Sequence, residues 1–312
     1  MVDSYGECMM DEDKELLGLP VTELIDRADK TRRKFLGDKL ELCSIVNAKS
    51  GLCGEDCKFC AQSSRHSASR LTYPLKDVNS IVKEAERARG LGAHKFGIVT
   101  SGNRLTEREI DEIAKAISAI SEKIGITVCA SLGALEKEEL RKLRSAGLSR
   151  YHHNIETSER FYPQVVITHK FSERVNTIRA AKETGLEVCS GGIIGMGETW
   201  QDRVDMARLL KELNVDSVPI NILVPIKGTP FESVKPISAG EAIKTLSIFR
   251  IILKDKIIKI AAGRETVLKD FQGLGFAAGA NGMLIGGYLT IKGRSVESDR
   301  ELIEEIKNLW KE

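Results

Sequence analysis

The chain has 312 residues, 42% of them hydrophobic, and a formal net charge of +2. That length can bury a large core, as one barrel-sized domain or two smaller ones, and the interspersed Lys, Arg, Asp and Glu exclude a nucleic-acid-binding footprint. The start, Met1-Val2-Asp3-Ser4-Tyr5-Gly6-Glu7-Cys8, has no basic n-region or apolar h-region, and no apolar stretch reaches membrane-spanning length, so a cytoplasmic protein without membrane contact is expected.

Residues before 39 read as an amino-terminal helix with Leu24, Ala28 and Phe35 on one face. The first strand is expected over 39–47 and carries Cys43 in Leu42-Cys43-Ser44-Ile45-Val46. Directly after it comes Cys53-Gly54-Glu55-Asp56-Cys57-Lys58-Phe59-Cys60, a C-x3-C-x2-C run. A cubane iron-sulfur cluster has four irons, and three thiolates leave one iron open to a non-protein ligand. Structural zinc is the alternative, but it takes four protein ligands, and no second Cys or Cys/His pair follows Cys60 at short spacing. With seven cysteines and a reducing compartment expected, metal ligands or buried apolar fillers are favoured over disulfides.

Strands and amphipathic helices then alternate. After the strand at 95–100, Thr106-Glu107-Arg108-Glu109 reads as a capping box, with Ile110, Ile113, Ile117 and Ile120 following at helical spacing and Gly125 closing the helix. Strands are expected at 126–132, 149–154, 186–193, 217–223, 257–262 and 281–286. They are separated by a helix ending near Gly147, one from Ser172 to Gly185, and one around Met206, Leu210 and Leu213. Eight strands, each with its helix, predict an α/β protein, a (β/α)8 TIM-type barrel with an N-terminal helical extension. The extension covers 1–38 and the barrel, with its C-terminal helix, 39–312; no linker divides the barrel. Barrel active sites lie at the carboxyl ends of the strands, which places the cysteine loop over the barrel mouth.

Several stretches in this order resemble one family: Gly51 to Ser63, Tyr151-His152-His153-Asn154-Ile155-Glu156-Thr157-Ser158, Cys189-Ser190-Gly191-Gly192 on to Thr199, Val218-Pro219-Ile220-Asn221, and Ala262-Gly263-Arg264-Glu265. From about residue 15 to about 290 the chain is similar to the biotin synthases of the radical S-adenosylmethionine (SAM) superfamily. The resemblance implies a sulfurtransferase. A reduced [4Fe-4S] cluster on Cys53, Cys57 and Cys60 binds SAM and cleaves it to methionine and a 5′-deoxyadenosyl radical. That radical takes hydrogen from C9 and C6 of dethiobiotin, and sulfur is inserted between them. No side chain acts as acid or base, because cluster and SAM carry the chemistry.

By the same resemblance, Phe59, Gly191, Gly192, Ile193 and Gly195 belong to the cofactor site, the glycines letting backbone approach SAM. Arg174 meets the methionine carboxylate, Asn154 and Glu156 hold the ribose, and Glu198 starts the next helix. Without the resemblance, Arg174 reads as a solvated helical arginine, and Gly191 to Gly197 as a tight turn lacking the ending of a phosphate loop. His152, Asn154 and Asn221 correspond to dethiobiotin contacts, asparagine amides complementing both the N–H groups and the carbonyl of a cyclic urea. His153 reads as structural. Adjacent histidines on one strand point to opposite faces, which argues against an ion shared with His152. The implied partners are dethiobiotin, a small flavodoxin- or ferredoxin-type electron donor, and a second copy in a homodimer.

The pattern departs from the family at its second, sulfur-donating [2Fe-2S] cluster, held there by three cysteines and an arginine. Cys129 and Cys189 match two ligands, but Gly97 stands at the strand-two cysteine and Lys259 at the arginine. Glycine cannot ligate iron, and a lysine ammonium must first lose its proton. Cys43, on the neighbouring strand, offers a replacement thiolate for an auxiliary cluster on Cys43, Cys129 and Cys189, with an altered iron count and an extra sulfide. Cys8 is a further candidate. The alternatives are that Cys43 is a buried small hydrophobe, that the enzyme is a related radical SAM barrel acting on another small molecule, or that the chain is a non-catalytic iron-sulfur sensor.

Overall fold

The computed structural model describes residues 10–287 and 293–311. In chain order these form α1 (Asp11–Gly18), α2 (Val21–Leu36), β1 (Glu41–Lys49), α3 (Val78–Gly90), β2 (Lys95–Thr100), α4 (Glu107–Lys123), β3 (Thr127–Ser131), α5 (Lys137–Ser145) and β4 (Arg150–His152). There follow α6 (Phe171–Glu183), β5 (Glu187–Cys189), β6 (Gly192–Ile194), α7 (Trp200–Glu212), β7 (Ser217–Ile222), α8 (Ala239–Leu253), β8 (Ile257–Ile260), α9 (Gln272–Ala277), β9 (Gly282–Leu284) and α10 (Val296–Lys311). Cys8 lies outside the described residues.

Each strand pairs in parallel with its neighbours, and β1 lies between β2 and β9. β5 and β6 both pair with β7, so they are two halves of one fifth stave, and the ring closes as an eight-stave (β/α)8 barrel. The break between the halves falls at Ser190-Gly191. A side chain on Gly191 would place its first carbon 1.9 Å from the Pro219 carbonyl oxygen, so only glycine lets the two strands come this close.

Local signals act as expected. The Thr106–Glu109 capping box forms, and Ile110, Ile113, Ile117 and Ile120 turn inward against the sheet. Two expectations need correcting. The amino-terminal extension is two helices, because Pro20, with no N–H, breaks the run between Gly18 and Val21. Phe35 is 44% exposed; Arg32 instead continues the buried stripe of Leu24 and Ala28, its guanidinium 4.0 Å above the Trp310 ring. The start of α7 also differs in detail. Thr199 caps it, while Glu198 lies just before, accepting the Gly195 and Met196 amides at 2.7 Å each. Among the described residues no helix is long and apolar enough to cross a membrane.

α10 is clasped to the barrel by buried Arg264, which donates to Asp299 at 2.7 Å and to Gln272 at 2.6 Å. Removing one partner of a buried ion pair strands the other charge. Asp299→Ala is therefore expected to destabilise the protein by about 3 kcal/mol, against roughly zero for exposed Glu304→Ala, by the shift in urea midpoint.

Candidate active site

β1 delivers the cysteine loop to the carboxyl end of the barrel. The loop is tied to itself by Cys53 N–H donating to Gln62 O at 3.1 Å and Ser64 N–H donating to Cys53 O at 2.7 Å. It is tied to the segment before α6 by the Asp56 carboxylate, which accepts the Ile167 and Thr168 amides at 3.1 Å each and the Thr168 hydroxyl at 2.9 Å. Cys57 is buried, Cys53 and Cys60 are half-buried, and all three are free thiols. Burial pushes Cys57 up and Cys60 up to about 11, so these two are thiols that a metal would have to deprotonate. Among the described residues no three His, Cys, Asp or Glu side chains converge to hold a single metal ion. A cubane asks for something else, one thiolate at each of three corners of a cage, which three cysteines spread along a folded loop can supply.

Beside the loop lies a cavity of about 160 Å³ that reaches Cys53, Cys57, His152, Asn154, Glu156 and Arg174. Arg174, on α6, donates from Nη1 to the Asn154 carbonyl at 2.9 Å and from Nε to the Tyr162 hydroxyl at 2.6 Å, leaving Nη2 uncommitted. A mostly buried guanidinium with a free donor suits an arriving carboxylate, and it is not the solvated surface arginine its helix position alone suggests. Glu156 sits at φ 69°, a left-handed conformation costly for a non-glycine residue. Gly192 packs against it, since a side chain there would come 2.3 Å from the Glu156 carbonyl oxygen. The room made by Gly191 and Gly192 is thus filled by neighbouring backbone, while Ile193 faces the barrel interior. His153 is buried and stacks on Tyr151, its Nε2 lacking a partner; lying just past the end of β4, it borders the small cavity together with His152.

A second cavity, of about 370 Å³, fills the barrel and holds Cys43, Cys129 and Cys189 together with Phe59, Asn154 and Asn221. Both amides also brace the strands. Asn154 Oδ1 accepts the Gly191 amide at 3.1 Å, and Asn221 donates to Gly192 O and accepts the Ala262 amide, each at 3.2 Å. Asn154 also donates from Nδ2 to Glu156 at 3.3 Å, and since an amide has two donors and two lone pairs, each asparagine retains one of both for a ligand.

Below the cysteines lies a charged floor. Glu41 takes Lys259 at 2.9 Å and Arg150 at 2.5 and 3.2 Å, and Arg150 also donates to Glu187 at 2.9 Å. Burial pushes the Cys129 thiol up to about 12 and raises Cys43. Burial also opposes ionisation of Cys189, but Lys259, with His152 and Arg150, outweighs it and brings that thiol down to about 6. Lys259 stays an ammonium despite burial, because Cys43, Cys189 and Glu41 face it. An ammonium has no lone pair to offer a metal, and in this state Lys259 is a counter-charge to Glu41 and Cys189. Gly97 pairs with Cys129 on one side and Ile45 on the other; the Ile45 methyl stands 3.0 Å from where a Gly97 side chain would begin, closing the gap a strand-two cysteine would occupy.

Sequence reasoning missed the floor. Its signal was a charge two residues before four of the inward-facing positions, Glu41 before Cys43, Lys95 before Gly97, Arg150 before His152 and Glu187 before Cys189, the period of one strand face.

A parallel barrel with a three-cysteine loop at its mouth and a cavity running inward from that loop defines a radical SAM enzyme. Residues 49–210 match the radical SAM superfamily, and residues 219–307 match the Biotin and Thiamin Synthesis associated domain. The chain is 52% identical to the biotin synthase of Thermotoga petrophila over 299 residues, 96% of this chain and 99% of that one. It is 56% identical to that of Thermotoga neapolitana over 272 residues, 87% and 97% of the two chains. The crystal structure of methylornithine synthase shares the fold with a TM-score of 0.81, at 21% identity, covering 96% of this chain and 94% of that one. So does the FeFe-hydrogenase maturase HydG from Carboxydothermus hydrogenoformans, with a TM-score of 0.80 at 18% identity, covering 96% and 75%. The chain belongs to the biotin synthase family.

Proposed function

We propose that this enzyme inserts sulfur between C6 and C9 of dethiobiotin, with SAM in the small cavity, dethiobiotin in the mouth of the larger one, and a sulfur-bearing auxiliary cluster beneath it. The observation that carries this reading is the adjacency of the two cavities, whose walls have Ser131, His152, Asn154 and Glu156 in common. Groups bound in the two cavities would face each other across these side chains, away from bulk solvent. When bound, the [4Fe-4S] cluster supplies the electron that splits the SAM sulfonium. The chain's own residues bind and orient. Arg174 Nη2 receives the methionine carboxylate, Glu156 and Asn154 hold the ribose, and the spare donors and acceptors of Asn154 and Asn221, with His152, grip the ureido ring.

Cys43, Cys129 and Cys189 fit an auxiliary cluster by their donor chemistry. All three are free and face one cavity, and Lys259 and Arg150 offset their negative charge. Leu52, 73% exposed directly before Cys53 and held at φ 54°, gives a small flavodoxin- or ferredoxin-type donor an apolar contact beside the cluster. A cytoplasmic homodimer completes the reading, and light scattering of the loaded protein checks the dimer.

The test is anaerobic turnover of reconstituted protein with SAM, dethiobiotin and a strong reductant. Biotin together with 5′-deoxyadenosine is expected. Deoxyadenosine without biotin points to a related enzyme with another substrate, and absence of SAM binding to a sensor; either result overturns the proposal.

A further inference from the structure

Tyr162 and His169 flank the loop that receives Asp56, and neither has a part in the reading above. The Tyr162 hydroxyl lies 2.8 Å from His169 Nδ1 and accepts from Arg174 Nε at 2.6 Å. An arginine only donates, so the phenolic oxygen accepts there, and its single proton needs an acceptor. Tyr162 is 2% exposed, and among the described residues the acceptor at hydrogen-bond distance is His169 Nδ1. Were Nδ1 protonated instead, a buried O–H would be left without an acceptor. The hydrogen-bond arithmetic therefore puts the imidazole proton on Nε2. That atom stands 3.8 Å from Cys57 Sγ and 3.9 Å from Glu55 Oε2, a buried oxygen with no hydrogen-bond partner.

We infer that His169 is a positioning residue that donates its Nε2–H to the cluster sulfur of Cys57, and that Tyr162 relays the state of Arg174 to it. The inference rests on the reading of Cys57 as a cluster ligand and Arg174 as the SAM carboxylate clamp. A donor to a ligating sulfur draws negative charge from the cluster and favours its more negative, reduced form, raising the reduction potential. The line Arg174, Tyr162, His169, Cys57 joins the group that senses the bound cofactor to the metal that must give it an electron. Glu55 Oε2, at 3.9 Å and beyond hydrogen-bond distance, is the competing acceptor for the same proton.

The test is a redox titration of the reconstituted [4Fe-4S] cluster, followed by electron paramagnetic resonance, in wild type, His169→Phe, His169→Gln and Tyr162→Phe. The signal altered by added SAM identifies the cluster. His169→Phe is expected to lower the potential at unchanged iron content, and His169→Gln, whose amide nitrogen stands where Nε2 stood, to restore most of it. Tyr162→Phe, which frees the tautomer, should fall between. A merely structural His169 would change iron uptake or stability but not the potential of the clusters that form. A potential in His169→Phe equal to wild type overturns the inference, because Nε2–H then serves Glu55 alone. If His169→Phe takes up no iron, Tyr162→Phe decides, and a wild-type potential there overturns it equally. The titration needs no dethiobiotin and no product, so it stands or falls apart from the biotin assay.

Discussion

Replacing Cys43 by alanine is expected to abolish biotin formation, with a loss of about 100-fold or more, while SAM cleavage continues. On the proposed reading, the loss of Cys43 as a ligand would remove the sulfur source but leave Cys53, Cys57, Cys60 and Arg174 untouched, so deoxyadenosine should still appear. Iron per chain should drop to the complement of one [4Fe-4S] cluster. The opposing view is that Cys43 merely fills space beside Glu41, in which case alanine costs about 1 kcal/mol of stability and nothing else. Its place in the barrel favours ligation. Cys43 is on the strand next to Gly97, faces the same cavity as Cys129 and Cys189, and has the Lys259 ammonium opposite. Unchanged iron and unchanged biotin yield in the alanine variant would sink the rebuilt cluster.

How much of this was legible in the sequence depends on the range of the interaction. All eight staves were, because each is a short apolar run beside a helical stripe and several follow a helix that closes on a glycine, signals that span fewer than about ten residues; before β7 and β8, Asn214 and Lys254 take the left-handed backbone instead. The division of the fifth stave was not. It follows from the Gly191 backbone pressing on Pro219, a contact between strands. Arg32 took the place expected for Phe35 because a distant ring, Trp310, waits to receive it, and no local pattern announces a partner almost the whole chain away. In the site, the cysteine loop and the asparagines were visible as motif, yet the charged floor was hidden. Glu41, Arg150 and Glu187 lie on different strands and meet only when the barrel closes, so no local pattern marks their meeting.

Arg174→Lys is expected to weaken SAM binding by roughly 30- to 150-fold, a loss of about 2–3 kcal/mol, even though the charge is kept. The guanidinium does three things at once. Nη1 holds the Asn154 carbonyl, Nε holds the Tyr162 hydroxyl, and Nη2 is left for the ligand. A lysine ammonium on a flexible stem can satisfy one of these in any one position, so either the Asn154–Glu156 wall slackens or the carboxylate loses its partner. The Glu156 backbone, held left-handed against Gly192, has little freedom to adjust in compensation. Equilibrium dialysis of SAM against the cluster-loaded variant measures the effect, with iron content as the control for folding. A surface arginine would tolerate lysine, so wild-type affinity in Arg174→Lys would remove it from the cofactor site, whereas a large loss that glutamine only deepens would show that directed donors count beyond charge.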